Sequence, residues 1–283
     1  MSSGASRTTD GTDQQTLSDL ATAALVRSFP DDIILRYESN EALEEFIERA
    51  SRLITYVMFN FTDAERLLRQ DGTLYNVLDP SQVPIISAAD EDEVIYNRQY
   101  SDIWSVLEAC QPVIYIPDAG KVYTEKHDPE KQLAGIDEYK RRLDRVMEEI
   151  DTRGWDIHVL PLAKGIHRWH FEELKPCYEK HGFENYASYT RQFVGGGRGN
   201  QVRLLEEHLQ NLIDVMDAQN VFLIARHGPT HLERFPPQVT GASGITNFAK
   251  HCKLEDGSFS IERFQEWRDD RRKRLTEHTL EDY

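Results

Sequence analysis

Short apolar runs of strand length alternate with helical segments along most of this chain, and this alternation strongly constrains the fold. Eight such runs occur, at residues 32–37, 54–59, 83–87, 113–116, 157–162, 189–194, 221–225 and 238–242. Strands that alternate with helices form parallel βα units, because each connection must cross back over the sheet. Eight units predict an α/β fold, a (β/α)8 barrel of the TIM type; an open doubly wound sheet is the alternative with the same local pattern.

Apolar residues spaced three and four positions apart predict helices between these runs. The predicted helices cover residues 41–52, 63–70, 100–109, 136–152, 166–180, 201–216, 230–235 and 261–278. Residues 1–20 are rich in Ser, Thr, Gly and Asp at their start, so we expect them to form a disordered tail. We expect residues 21–283 to form one barrel domain that ends in a helix.

The charge and apolar content of the chain exclude several classes of protein. No apolar run approaches the roughly 20 residues of a membrane-spanning helix, and the start of the chain does not resemble a signal peptide. The expected location is therefore the cytoplasm, or the host cytoplasm if the protein is viral. A formal charge of −16 opposes general attraction to nucleic acid, so a nucleic-acid site must be local. The same acidity suits a protein from a high-salt, halophilic source, where ions screen self-repulsion.

The cysteine spacing gives no sign of a metal site. Cys110, Cys177 and Cys252 are scattered and form no CxxC motif, so we predict neither a metal nor a cofactor. His167 and His170 are three residues apart without a carboxylate ligand motif nearby, and they are as compatible with a surface turn as with a function.

Asp118 is the first catalytic candidate. The fourth apolar run leads into Pro117-Asp118-Ala119-Gly120, which places a carboxylate in a small turn at the end of a strand. Catalytic groups of such barrels converge at the carboxyl ends of the strands, so this position points to acid or base chemistry. The alternative is a local role, in an Asx-turn or as a helix cap.

A glycine turn follows the sixth run. Gly195, Gly196 and Gly197 precede Arg198, and a predicted helix begins at Gln201. Glycines let backbone N–H groups approach a ligand closely, and a helix start favours an anion or a carbonyl oxygen. The turn matches neither a P-loop nor the dinucleotide-binding fingerprint, and its alternative role is chain geometry alone.

Two further strand ends carry basic groups. The seventh run ends in Arg226-His227-Gly228, which imitates the RHG motif of histidine phosphatases but lies too near the end of the sequence for that fold. Arg226 and His227 can instead contact a ligand, with a structural histidine as the alternative. The fifth run leads into Lys164 to His170, a basic and aromatic cluster that suits contact with phosphate and base, and Lys164, Arg168 and Arg198 are candidates for a basic strip.

The order of these pieces resembles the tRNA-guanine transglycosylase superfamily, and within it the DpdA-type branch that places 7-deazaguanines in DNA. The likeness covers residues 84–248. The turn at Asp118 is similar to the family's Asp-Ser-Gly-Gly-Phe turn, and the turn at Gly195 to its Gly-Gly turn before a helix. Residues 227–232 are similar to its strand that ends in Gly before a short helix, and Ala242-Ser243 stands where the family has an Asp-Ser pair.

The resemblance implies exchange of guanine for a 7-deazaguanine in nucleic acid, with DNA favoured over tRNA, through one Asp that attacks C1′ and a second that acts as acid or base. Asp118 matches the acid/base position. We assign substrate binding to residues of the other turns: Gly195, Gly196, Gly197, Arg198, Arg226, His227 and Ser243. The expected partners are DNA or tRNA and the deazaguanine base, without a membrane.

The nucleophile position of the family falls at Ala242, which has no group able to attack. Two alternatives therefore stay open. One is a non-catalytic relative that binds a base or nucleic acid. The other is an unrelated barrel hydrolase or lyase that acts on a small anionic metabolite at the same glycine turn.

Overall fold

The computed structural model describes residues 29–70, 72–90, 92–122, 128–193, 201–225, 228–244 and 246–276. The predicted tail at residues 1–20 lies outside this part of the chain. The described residues form eight strands, and all of these pair in parallel. They are β1 (Ile33–Arg36), β2 (Tyr56–Asn60), β3 (Val83–Ser87), β4 (Ile114–Ile116), β5 (His158–Val159), β6 (Asn185–Tyr189), β7 (Asn220–Ile224) and β8 (Val239–Gly244).

These strands form one sheet in the order β5-β4-β3-β2-β1-β8-β7-β6. The sheet is curled into a half-barrel that is similar to a TIM fold but is not closed. Every neighbour is consecutive in sequence apart from β1 and β8, so the strand order never reverses as it does in a doubly wound sheet. The α/β class and the parallel curled sheet are confirmed.

The two outer strands, β5 and β6, approach each other just beyond the end of β5. Leu162 and Ala187 form an isolated parallel bridge there. The N–H of Ala163 donates to the carbonyl oxygen of Ala187 at 2.6 Å, and the N–H of Ala187 donates to that of Pro161 at 2.9 Å. The segment that leads to Lys164 is therefore held against β6.

Helices lie between the strands, as the sequence predicts. Their bounds are α1 (Glu41–Arg49), α2 (Phe61–Arg69), α3 (Asp92–Asn97), α4 (Tyr100–Cys110), α5 (Pro129–Arg153), α6 (Arg168–Lys180), α7 (Val202–Met216), α8 (Pro229–Leu232), α9 (Thr246–Cys252) and α10 (Ile261–Thr276). Short 3-10 turns occupy Leu74–Asn76 and Arg191–Phe193. None of the helices in the described ranges is long and apolar enough to cross a membrane.

Helix α5 begins seven residues before its predicted start at Ile136. The Asp128 side chain accepts a hydrogen bond from the N–H of Lys131 at 2.9 Å, and Pro129 occupies the first helical position. Both features stabilise a helix start, because an N-cap satisfies an otherwise free N–H and proline needs no donor there. The first turn is charged and lacks the apolar spacing on which the sequence prediction depended.

The predicted sixth strand, residues 189–194, is wrong. The strand is β6, four residues earlier, and Arg191–Phe193 forms a 3-10 turn. Tyr186, Ala187 and Ser188 are buried in β6, and the Ser188 Oγ lies 3.2 Å from the His208 Nε2 of α7. The Thr190 hydroxyl ends the strand by donating to the carbonyl oxygen of Ile224 at 2.8 Å. Ala187 and Ser188 lack the strong β propensity of the aromatic and β-branched residues at 189–194, so propensity favoured the wrong segment.

Candidate functional site

A buried ion pair joins the ends of β4 and β5. The Lys164 Nζ lies 2.5 Å from the Asp118 Oδ1, which also accepts from the N–H of Ala119 at 2.7 Å. Asp118 is 3% exposed and Lys164 is 0% exposed. Both residues follow strand ends at the carboxyl edge of a parallel sheet, which is the edge where such folds place their chemistry. This pair is the centre of the candidate site.

Burial controls the acidity of Asp118. Removal from water raises the pKa of this carboxyl above its ordinary value, while the positive charges of Lys164 and Arg98 act in the opposite direction. A carboxyl with a raised pKa holds its proton closer to neutral pH. The neighbouring cations stabilise the carboxylate once the proton has left, so burial and charge act on the acidity of Asp118 in opposite directions.

Arg98 connects Asp118 to a second carboxylate. The Arg98 Nη2 lies 3.3 Å from the Asp90 Oδ2, and its Nη1 donates to the carbonyl oxygen of Ala88 at 3.0 Å. The guanidinium also lies 4.0 Å from the centroid of the Phe61 ring, which covers one of its faces. Asp90 follows β3, the strand beside β4, so two carboxylates of neighbouring strand ends act on the same buried arginine.

The turn after Asp118 packs tightly, because two glycines bring its backbone against α5. Gly120 has φ of +71°, a left-handed conformation that side chains disfavour, and a Cβ at this position would come within 2.0 Å of the Gly135 carbonyl oxygen. A Cβ on Gly135 would come within 2.5 Å of the Lys121 carbonyl oxygen. The turn and α5 therefore touch backbone to backbone, which fixes Asp118 relative to that helix.

His170 fixes the loop that carries Lys164. Its Nδ1 accepts from the N–H of Ile166 at 2.9 Å and from that of His167 at 3.0 Å, and its Nε2 faces the Gln132 Oε1 at 3.3 Å. A ring that accepts at Nδ1 must carry its proton on Nε2. Burial lowers the pKa of His170 to about 4, so the ring is neutral at pH 7. The interpretation of His170 as part of a surface turn is wrong, because a buried ring caps the start of α6.

Two tyrosines hold the strand end that precedes Lys164. The Tyr178 hydroxyl donates to the Leu162 carbonyl oxygen at 2.7 Å, and the Leu162 N–H donates to the Tyr139 hydroxyl oxygen at 2.8 Å. Tyr139 lies on α5 and Tyr178 on α6, so the helices on both sides position the same residue. Both rings are buried.

Of the remaining predicted site residues, only Ser243 lies within the described ranges. Ser243 is buried in β8, where its Oγ lies 3.6 Å from the Met58 Sδ across β1, and Ala242 beside it is buried too. The predicted residues of the glycine turn and of the seventh strand end fall outside the described ranges: Gly195, Gly196, Gly197, Arg198, Arg226 and His227. Ala225, the residue just before Arg226, has φ of +71°, and strained positions of this kind occur at functional strand ends.

The basic strip expected on the surface does not include Lys164, which is buried against Asp118. Arg168 is exposed and lies 3.1 Å from Glu172 on its own helix. Arg198 lies outside the described ranges. Sequence reasoning placed Lys164 and Asp118 in different roles because nothing local in a sequence shows that residues after two separate strands form one buried ion pair.

Arg98 is a further residue that sequence reasoning missed. It precedes α4 in a polar stretch, Asn97-Arg98-Gln99, that resembles an ordinary exposed connection.

Comparison of the chain with models of protein families finds no match, and comparison with curated proteins finds no significant match either. The candidate site is therefore argued from its own geometry.

Proposed function

We propose that this chain exchanges guanine for a 7-deazaguanine in nucleic acid, with DNA favoured over tRNA, at the mouth of a (β/α)8 barrel. The observation that carries the proposal is the burial of Asp118 against Lys164 at the strand ends. Asp118 is also the position that the family resemblance assigns to the acid/base carboxylate. The turn residues assigned from the sequence, Gly195 to Arg198, Arg226, His227 and Ser243, hold the base and its nucleotide in this proposal.

Exchange needs a proton donor that later accepts a proton. In the first step a carboxylate attacks C1′, the bond from C1′ to the guanine nitrogen breaks, and Asp118 gives its proton to the departing nitrogen. In the second step the deazaguanine nitrogen attacks C1′, releases the enzyme carboxylate and returns a proton to Asp118. A raised pKa suits the first step, and the cation of Lys164 suits the carboxylate form between the steps.

Asp90 is our candidate for the attacking carboxylate, because Ala242 has no nucleophilic group. Asp90 follows the strand next to that of Asp118, and its carboxylate is held by Arg98 and by the Thr62 hydroxyl at 3.4 Å. Enzymes that exchange groups at a sugar carbon through a covalent intermediate use two neighbouring carboxylates. Asp90→Asn is expected to abolish formation of the covalent intermediate with the nucleic acid.

The direct experiment incubates the purified protein with a 7-deazaguanine and with DNA or tRNA that carries labelled guanine, at low and at high salt. The proposal predicts release of labelled guanine from one polymer. Failure to release guanine from either polymer, by protein with an intact fold, contradicts it. Tight binding of a polymer without release would instead identify a non-catalytic relative.

A second candidate function follows from Lys164. A buried lysine beside a carboxylate is suited to form a Schiff base: Nζ gives a proton to Asp118, the neutral amine attacks a carbonyl carbon, and water leaves. This is the chemistry of a lyase that acts on a small anionic metabolite. Borohydride reduction in the presence of pyruvate distinguishes the two candidates, because only the lyase gains a stable adduct on Lys164.

A further inference from the structure

A cysteine, a histidine and an aspartate meet between α5 and α6, away from the candidate site. Asp144 lies on α5, Cys177 in the last turns of α6, and His181 directly after that helix. One ligand atom of each residue lies within 4.8 Å of the other two. Lys164 precedes the opposite end of α6, a helix of 13 residues and hence about 20 Å long, so the cluster is separate from the Asp118 pair.

We propose that Asp144, Cys177 and His181 bind a transition-metal cation of the zinc type. Thiolate, imidazole and carboxylate are the donor groups that proteins use for zinc. Cys177 and His181 are four residues apart, so the helical repeat directs both side chains to the same face. The third ligand comes from the neighbouring helix, and water completes the four positions of a tetrahedral site.

The distances between the donor atoms are close to those of such a site. The Asp144 Oδ1 lies 2.6 Å from the His181 Nε2 and 4.0 Å from the Cys177 Sγ. Donor atoms around tetrahedral zinc are about 3.3 to 3.6 Å apart, given the usual bond lengths. Adjustments of less than about 1 Å in these two separations would fit them to a metal, which side-chain rotation can supply.

The cluster is accessible, and its charges compete with the metal. Asp144 and His181 line an open groove of about 690 Å³, together with the charged residues Arg141, Arg145, Glu148, Asp151 and Lys180. The Lys180 Nζ lies 2.9 Å from the Asp144 Oδ1 and occupies part of the position that a cation would take. Binding therefore displaces the ammonium group of Lys180 and releases the thiol proton of Cys177 to water.

Cys177 is the one thiol among the three that is available for this chemistry. Cys110 and Cys252 are buried, whereas Cys177 is half-buried at the helix surface. Sequence alone does not reveal the site, because the Cys-x3-His spacing lacks a second cysteine and the third ligand lies 33 residues upstream of Cys177.

The test titrates the full chain with Co²⁺, which reports a thiolate ligand through a charge-transfer absorption band. We expect one equivalent to bind with that band, and we expect Cys177→Ser to abolish it. Asp144→Asn and His181→Ala should weaken binding by roughly tenfold or more. The matched control His251→Ala removes an exposed histidine outside the cluster and should change nothing.

The variant Lys180→Met distinguishes a metal site from a group of charges that only stabilises the fold. Loss of the competing ammonium should tighten Co²⁺ binding if the cation takes its place. A titration without a thiolate band, or the same band in Cys177→Ser, overturns the proposal. Weaker Co²⁺ binding by Lys180→Met would also overturn the proposal.

Discussion

The Lys164 ammonium lies 2.5 Å from the Asp118 carboxylate although the two residues are 46 positions apart, and both are almost fully removed from water. Each charge is held by contacts with a helix: the Asp118 turn packs on α5 through Gly120 and Gly135, and the Lys164 loop is capped by His170 of α6. Such preorganisation is what acid/base catalysis requires of its groups.

Removal of one partner from this pair should strongly destabilise the protein, because the remaining charge stays buried without compensation. We expect Lys164→Met or Asp118→Asn to lower the free energy of unfolding by about 3 to 5 kcal/mol. The double variant should lose clearly less than the sum of the two, as measured by urea denaturation. Glu172→Gln, which breaks the exposed pair with Arg168, is the control and should cost at most about 0.5 kcal/mol. Strict additivity would contradict a direct interaction.

Gly120→Ala should destabilise the protein far more than glycine replacement at an equally left-handed but open position. Gly182 has φ of +69° and nothing within 4 Å of an added Cβ, so Gly182→Ala measures the conformational cost alone, about 1 kcal/mol. Gly120→Ala adds a collision with the Gly135 backbone. Equal losses in thermal denaturation of the two variants would show that the turn does not pack on α5 as described.

Acid should weaken the fold through its buried histidines. Burial lowers the pKa of His170 to about 4 and that of His208 to about 3, whereas both rings titrate near 6.5 in the unfolded chain. The unfolded state therefore binds more protons below pH 6.5. Stability that is fully present above that pH is lost as the pH falls towards 4, by up to about 1.4 kcal/mol per pH unit for each ring.

His170→Asn tests this assignment, since an amide oxygen can accept in place of Nδ1 without titrating. The variant should show a shallower loss of stability between pH 6.5 and 5 in urea denaturation. His251→Asn, which changes an exposed histidine, should retain the slope of the unmodified protein. An unchanged slope in His170→Asn would mean that His170 is not held neutral.

The sequence predicted the strand count, the parallel arrangement and Asp118 at a strand end, because apolar runs and turn residues are local signals. It misplaced β6, whose Ala187 and Ser188 are buried through contacts with distant residues, namely the bridge of Ala187 with Leu162 and the contact of Ser188 with His208 of α7. It also missed the roles of Lys164, Arg98 and His170. Their burial depends on contacts with distant residues, such as Asp118, Asp90 and Gln132, and a charged side chain in a sequence is ordinarily exposed.

The proposed acid/base role of Asp118 is tested by comparing guanine release by the unmodified protein, by Asp118→Asn and by Asp137→Asn. Asp137 is an exposed aspartate on α5 and serves as the matched control. We expect labelled guanine to leave the nucleic acid in the presence of a 7-deazaguanine. Asp118→Asn is less stable but should lose this release under conditions in which it is folded, and Asp137→Asn should retain it. Release that persists in folded Asp118→Asn would show that Asp118 is not the acid/base group.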